Sequence, residues 1–289
     1  SDCSKWFLSG AVLAWSRQDR PRAMVLLGMA DRMNRTLLGG SHSLIGQMIA
    51  VRVTRNTFST VSALAVRDPG LGTALMPLLA PLPDQVQSVK RWMVVEAAFQ
   101  RGSITELARL SDDQAATAAV GGEAFPGGFE LHAWLFQRRI GWHPERTAQA
   151  IDAQWLRSMR QLDNGLTAAI EAQSSEAADS ARDGLWHGVT WVNPVGSVLV
   201  NVARPAYASY LARHADLELH RETAALAVNA ASASVPPAER RAWLARQPLS
   251  PLARERIAWS DDGLALDART WQDTSSPRDA IQIRWPSPR

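Results

Sequence analysis

Apolar positions recur at helical spacing along most of this chain. A short helix is predicted over residues 3–17, closing near Gln18-Asp19-Arg20-Pro21. A second follows with Ala23, Leu26, Ala30, Met33 and Leu37 on one side, at three- and four-residue steps. Gly39-Gly40 stops it, and Ser41 is placed to cap a third helix whose stripe is Leu44, Ile45, Met48, Ile49 and Val53, running to Val66. Helix, glycine break and capped helix in succession predict antiparallel helix pairs, either tetratricopeptide-like or an irregular helical bundle. No repeat recurs at a fixed period.

Asp68-Pro69-Gly70 marks a turn, and Pro77, Pro81 and Pro83 break the next stretch. A helix then runs to about Arg101 with Val86, Val89, Met93 and Ala97 inward, and Ser103 caps a further turn to Leu110. Residues 111–128, with Gly121-Gly122 and Gly127-Gly128 around Pro126, form the clearest loop. Helices return at 129–139, 143–161 and 166–178, the second with Ala148, Ile151, Trp155 and Met159 on one face. Asn193-Pro194 reads as a cap followed by proline at the first helical position, and helix continues to about Ala231 with a kink or break at Pro205.

The tail changes period. Residues 256–259 alternate, face an Asp261-Asp262-Gly263 turn and return at 264–266; residues 281–285 alternate again. The predicted fold is therefore mainly α, antiparallel helix pairs with a small C-terminal β-hairpin or three-strand appendage. Its expected parts are an N-terminal helical-pair region (1–110), the loop (111–128), a C-terminal helical region (129–250) and a β-containing tail (251–289), together one continuous globular unit.

Composition narrows the function classes. At 289 residues a chain buries about three quarters of its unfolded surface and needs no cross-links. The formal net charge of +3 comes from 31 basic residues, all but Lys5 and Lys90 arginine. These arginines are scattered among acids, with no basic stripe interleaved with aromatics, so nucleic acid is not an expected partner. Cys3 is the only cysteine, which leaves no intrachain disulfide and no thiolate cluster. The longest uncharged run, Gly184 to Ala203, holds His187, Asn193, Pro194 and Asn201; it suits a buried helix better than a membrane span, and at most it dips into a membrane surface.

No phosphate-binding loop, dinucleotide fingerprint, nucleophile elbow, zinc-protease helix or calcium loop is present. Catalytic, metal and cofactor sites are therefore not expected. His214 and His220, the only neighbouring histidines, fall on opposite sides of a helix, and surface or capping roles are expected for them. Twelve tryptophans are many, and Trp134, Trp142, Trp155, Trp186 and Trp191 cluster; core filling competes with an aromatic groove for a saccharide or peptide. Glu96, Glu123, Glu130, Glu145 and Asp152 are the carboxylates such a groove could use. The candidate binding surface is Trp186, Trp191, Asn193, Tyr207, Tyr210 and Arg213, the last three recurring every third residue toward Asp216 as one polar–aromatic helix edge.

Ser43 to Val51, Asn193-Pro194-Val195-Gly196, and Tyr207, Tyr210, Arg213 and Asp216 resemble motifs of an uncharacterised family of proteobacterial envelope proteins. The likeness covers about residues 20–100 and 185–285 and finds nothing to match at 111–185. It implies the periplasmic body of a protein anchored to the inner membrane, the anchor and a further N-terminal portion lying outside this sequence. No activity comes with it. The leading expectation is an envelope-associated helical scaffold that binds another protein, with peripheral membrane contact as an adjunct. An enzyme acting on a cell-wall glycan, with carboxylates in a Trp-lined cleft, is the first alternative, and a periplasmic immunity or inhibitor protein the second.

Overall fold

A computed structural model describes residues 2–109, 142–183, 192–193, 196–197, 200, 206–271 and 281–286. Among these residues the α-helices are α1 (Asp2–Ser16), α2 (Arg20–Gly40), α3 (Leu44–Arg67), α4 (Gly72–Leu75), α5 (Gln85–Arg109), α6 (Pro144–Asp163), α7 (Leu166–Asp183), α8 (Ala206–Ser232), α9 (Arg240–Ala245) and α10 (Pro251–Arg256). Strands β1 (Ile257–Trp259), β2 (Ala265–Ala268) and β3 (Ile281–Arg284) follow. The mainly α class with a small C-terminal antiparallel sheet is what the period change predicts. The chain divides into two compact units, Ser1–Ser88 with Ala212–Arg289 and Val89–Leu211, the divide falling inside α5 and α8. The loop expected at 111–128 lies outside the described residues.

In the first unit α1 and α2 fold back on each other, and α2 packs on α3. The Asp19 carboxylate accepts from Arg22 N at 3.1 Å, with Pro21 in the first turn, and so starts α2. Ser41 does not start α3 as expected. Its N–H closes α2 on Leu37 O, and Ser43 caps α3 by accepting from Gly46 N at 3.1 Å. Ser103 likewise starts nothing: it lies within α5 and donates to Phe99 O at 3.0 Å.

The buried face of α2 is Ala23, Leu27, Ala30, Asn34 and Leu38, one residue round from the predicted stripe at its second half. Asn34 explains the offset, because a polar side chain holds a core position. Its Nδ2 donates to Thr57 Oγ1 at 2.8 Å and Val53 O at 3.3 Å, which satisfies the group without water. On α3 the same thing happens: Gln47, Thr54 and Thr57 are buried, whereas Ile45 and Ile49 are 74% and 42% exposed. Gln47 Nε2 donates to Leu38 O at 3.0 Å and Ser41 O at 2.7 Å.

From residue 212 onward α8 is buried on two opposite sides. Leu217, Ala224 and Val228 pack with Leu27, Phe58, Val61 and Leu75 from the helical layer. Leu219, Leu226, Ala227 and Ala230 pack with Trp259, Leu266, Ile281 and Ile283 from the sheet. α8 therefore lies between two layers, with apolar residues serving each. The sheet order is β1-β2-β3, both pairs antiparallel, with Trp259 opposite Leu266 and Leu266 opposite Ile283. The β1–β2 turn uses Gly263 at φ +68°, and Asp262 Oδ1 accepts from Leu264 N at 2.9 Å.

In the second unit α6 and α7 are joined through Asn164 and Gly165, the latter at φ +96°. The face of α6 is Thr147, Ile151, Trp155 and Leu162, which keeps two members of the predicted stripe. Among the described residues no helix is long and apolar enough to cross a membrane.

Candidate functional site

Of the six residues singled out in the sequence, Trp186 and Trp191 lie outside the described residues. Asn193 is 5% exposed and holds the start of α6: its Oδ1 accepts from His143 N at 2.9 Å and its Nδ2 donates to Thr147 Oγ1 at 3.0 Å. Gly196 lies so close that a Cβ there would stand 2.0 Å from Thr147 Oγ1. Asn193 thus spends its polar atoms on the fold. Asn193→Ala is expected to lower stability by about 2 kcal/mol, since it strips partners from a buried amide and hydroxyl; urea unfolding measures it, and a loss within about 0.5 kcal/mol would contradict the assignment.

Tyr207 stacks on Trp92 with ring centroids 6.2 Å apart and meets Trp155 edge-on at 4.6 Å. Gln100 bridges the group: its Nε2 donates to the Tyr207 hydroxyl, and its Oε1 accepts from Trp155 Nε1 at 3.0 Å. Burial, with Glu96 and then Tyr210 adding negative charge, pushes the Tyr207 hydroxyl up to about 12. Trp92 and Trp155 are 0% and 4% exposed, so this cluster is core and offers no stacking platform to a sugar. Tyr210 and Arg213 are half-buried, and buried Asp216 accepts from Trp271 N at 2.7 Å. Tyr207 and Tyr210 belong to the second unit, Arg213 and Asp216 to the first.

The histidines of α8 are not at the surface. His214 and His220 are 0% and 6% exposed, because α8 is enclosed on both sides. His220 Nε2 lies 3.1 Å from Ser59 Oγ, a serine–histidine pair that no sequence motif announced. The pair lacks what nucleophilic chemistry requires. Burial, and then the charge of Arg55, hold His220 down to about 3, and no carboxylate partner orients its Nδ1 among the described residues. It is a part-buried packing contact between exposed Ser59 and buried His220. No group of three or more His, Cys, Asp or Glu side chains is placed to hold a metal ion among the described residues.

Two grooves remain. One, about 710 Å³, runs between the end of α5 and the start of α6 and is lined by Arg101, Arg109, His143, Glu145 and Arg146. Arg101 is already paired there with Asp152 at 2.7 Å. The other, about 640 Å³, lies along β1 and is lined by Leu244, Leu249, Ile257 and Trp259 with Arg241, Gln247 and Arg254. Its walls are fixed. Ser250 N donates to Glu222 Oε2 at 3.3 Å, Ser250 Oγ caps α10 on Ala253 N at 3.2 Å, and Ile257 N closes α10 on Ala253 O.

The β1 groove also has a backbone component. Arg269 N donates to Arg256 O at 2.9 Å and Ser260 N to Ala265 O at 2.8 Å, so bonding to β2 falls on residues 256, 258 and 260. Antiparallel alternation then turns Trp259 N–H, Trp259 C=O and Ile257 C=O away from β2. Among the described residues no other backbone group pairs with them, and their residues, Ile257 and Trp259, line the groove. A short sheet edge opens onto an apolar trough. No protein-family model, curated protein sequence or solved structure matches this chain.

Proposed function

We propose that this protein is an envelope-associated helical scaffold that binds another protein, taking an extended segment of it onto the free edge of β1. The supporting observation is the coincidence of unpaired strand groups with the preformed groove lined by Leu244, Leu249 and Ile257. Strand addition draws affinity from main-chain bonds and selectivity from pockets for alternate side chains, and the β1 edge offers both. Siting at the envelope rests on the resemblance of Ser43–Val51 and Asn193–Gly196 to envelope proteins. Of the carboxylates a glycan-cleaving reading would use, Glu123 and Glu130 lie outside the described residues, and Glu145 lines the α5–α6 groove.

Selection of a displayed random-peptide library on the full chain tests the proposal. Enriched peptides are expected to carry apolar residues at alternate positions and to protect Trp259 N–H from hydrogen exchange. Ala245 lines the groove and is exposed, so Ala245→Trp should fill the trough without disturbing the fold. It is expected to weaken those peptides about thirtyfold, the loss typical of one blocked anchor pocket. Peptides that bind Ala245→Trp as well as the parent, or leave Trp259 N–H unprotected, overturn the proposal.

A further inference from the structure

The first three helices carry a surface unlike the rest of the chain. Eight of the thirteen exposed large apolar side chains among the described residues lie on α1–α3. Six of them fall in stripes opposite the buried faces. On α1, Trp6 and Leu13 are seven residues apart and 79% and 50% exposed. On α2, Val25 and Met29 stand between the exposed Arg22 and Arg32; on α3, Ile45 and Ile49 are followed by the exposed Arg52. Each interval is three, four or seven residues, so each set shares one helix face.

Charge follows the same division. Residues 1–67 hold nine Lys or Arg against three Asp or Glu, a net +6, whereas residues 68–289 hold 22 against 25, a net −3. Arg17, Arg22 and Arg52 enter no ion pair among the described residues, so their charge is not neutralised at short range. Bulky apolar side chains flanked by unpaired arginines on outward helix faces are what an interfacial element presents to a bilayer: the apolar groups enter the headgroup–acyl boundary and the guanidinium groups meet lipid phosphates. Trp6 is of a residue type enriched at that depth.

We infer that the outer faces of α1, α2 and α3 dock peripherally on an anionic lipid surface, with Trp6, Val25 and Ile45 entering the interface and Arg17, Arg22 and Arg52 pairing with phosphates. Charge complementarity selects this occupant. A second copy of the chain would bring these net-positive faces together and oppose its own arginines, and an acidic protein would leave the protruding apolar groups unexplained. Peripheral docking needs no spanning helix. It is also independent of the β1 groove, so both surfaces can be engaged by one molecule.

Co-flotation of the full chain with vesicles is the test. Vesicles of phosphatidylcholine mixed equally with phosphatidylglycerol should carry the protein; pure phosphatidylcholine should carry little, and raised salt should release it. Arg22→Gln with Arg52→Gln should lower partitioning roughly thirtyfold, about fivefold for each arginine removed near the surface. Trp6→Ser with Ile45→Ser, both on exposed positions that leave the core intact, should abolish binding even at low salt. Ala245→Trp should bind vesicles like the parent. Absence of binding to the anionic vesicles overturns the inference, as does equal binding to neutral vesicles or variants that partition unchanged. Self-association of the parent that Trp6→Ser with Ile45→Ser dissolves would also overturn it, in favour of a second copy as the occupant.

Discussion

Lowering the pH from 7 to 5 is expected to remove about 4 kcal/mol of stability, because His214 and His220 of α8 are folded in their neutral form. Burial holds His214 down to about 4; burial and then Arg55 hold His220 down to about 3. Each ring uses one nitrogen, His214 Nδ1 at 2.9 Å from Gln85 Oε1 and His220 Nε2 at 3.1 Å from Ser59 Oγ. The other nitrogen, His214 Nε2 or His220 Nδ1, is buried with no partner among the described residues, so a proton there would find nothing to receive it. In the unfolded chain both titrate near 6.5, so between that pH and the folded values the unfolded state binds more protons. Stability from these groups is therefore complete above about pH 6.5 and falls as pH drops toward 4 and 3, about 2 kcal/mol per ring by pH 5. Denaturant midpoints at the two pH values measure the loss. His214→Gln with His220→Gln should flatten the dependence, and a parent protein equally stable at both pH values would refute the account.

Those histidines also show where the sequence stopped being legible. The expectation of surface or capping roles for His214 and His220 holds for a helix that packs against a single layer. Its apolar residues actually serve two layers, Leu217 and Val228 toward the helices, Leu219 and Ala230 toward the sheet, and period alone does not reveal a second partner. The α2 and α3 faces differ from the predicted stripes for a related reason. Asn34, Gln47, Thr54 and Thr57 take core positions through bonds to backbone and to one another, and a pattern that counts only apolar residues passes over them. It then counts Ile45 and Ile49 as core when they project outward, which hid the most apolar part of the surface.

The C-terminal sheet was legible, since two-residue alternation flanking Asp261-Asp262-Gly263 leaves little else for the chain to do. What that reading did not contain was the free edge of β1. Which backbone groups face outward depends on the parity of bonding to β2, and the wall of the trough depends on a bond from Ser250 to Glu222, 28 residues earlier on another element. The candidate surface at Asn193 and Tyr207 stands out in the sequence by its unusual residue types. Those types are there because close packing at Gly196 and the Trp92–Trp155 contact demand them.

Arg240→Ala is expected to destabilise the first unit by about 3–5 kcal/mol and to loosen the sheet beside the groove. Arg240 is 7% exposed, and burial lowers the affinity of its guanidinium for a proton. It stays charged because arginine begins so high, and because the site replaces water. Its Nε donates to Val235 O at 3.0 Å and an Nη to Gly263 O at 2.5 Å, tying the end of α8's connection to the β1–β2 turn. Its guanidinium carbon lies 5.0 Å from the Trp259 ring centroid and 4.6 Å from that of Trp285. Alanine would leave two buried carbonyls without donors, remove both cation–π contacts and open a void between two tryptophans. Lysine would restore the charge but not the forked donors or the flat stacking surface, so Arg240→Lys should recover less than half of the loss. Guanidinium unfolding followed by tryptophan fluorescence reports both variants, since Trp259 and Trp285 flank the site with ring centroids 4.7 Å apart. Stability of Arg240→Ala within about 1 kcal/mol of the parent would show that the carbonyls find water and that the arginine does not organise this sheet.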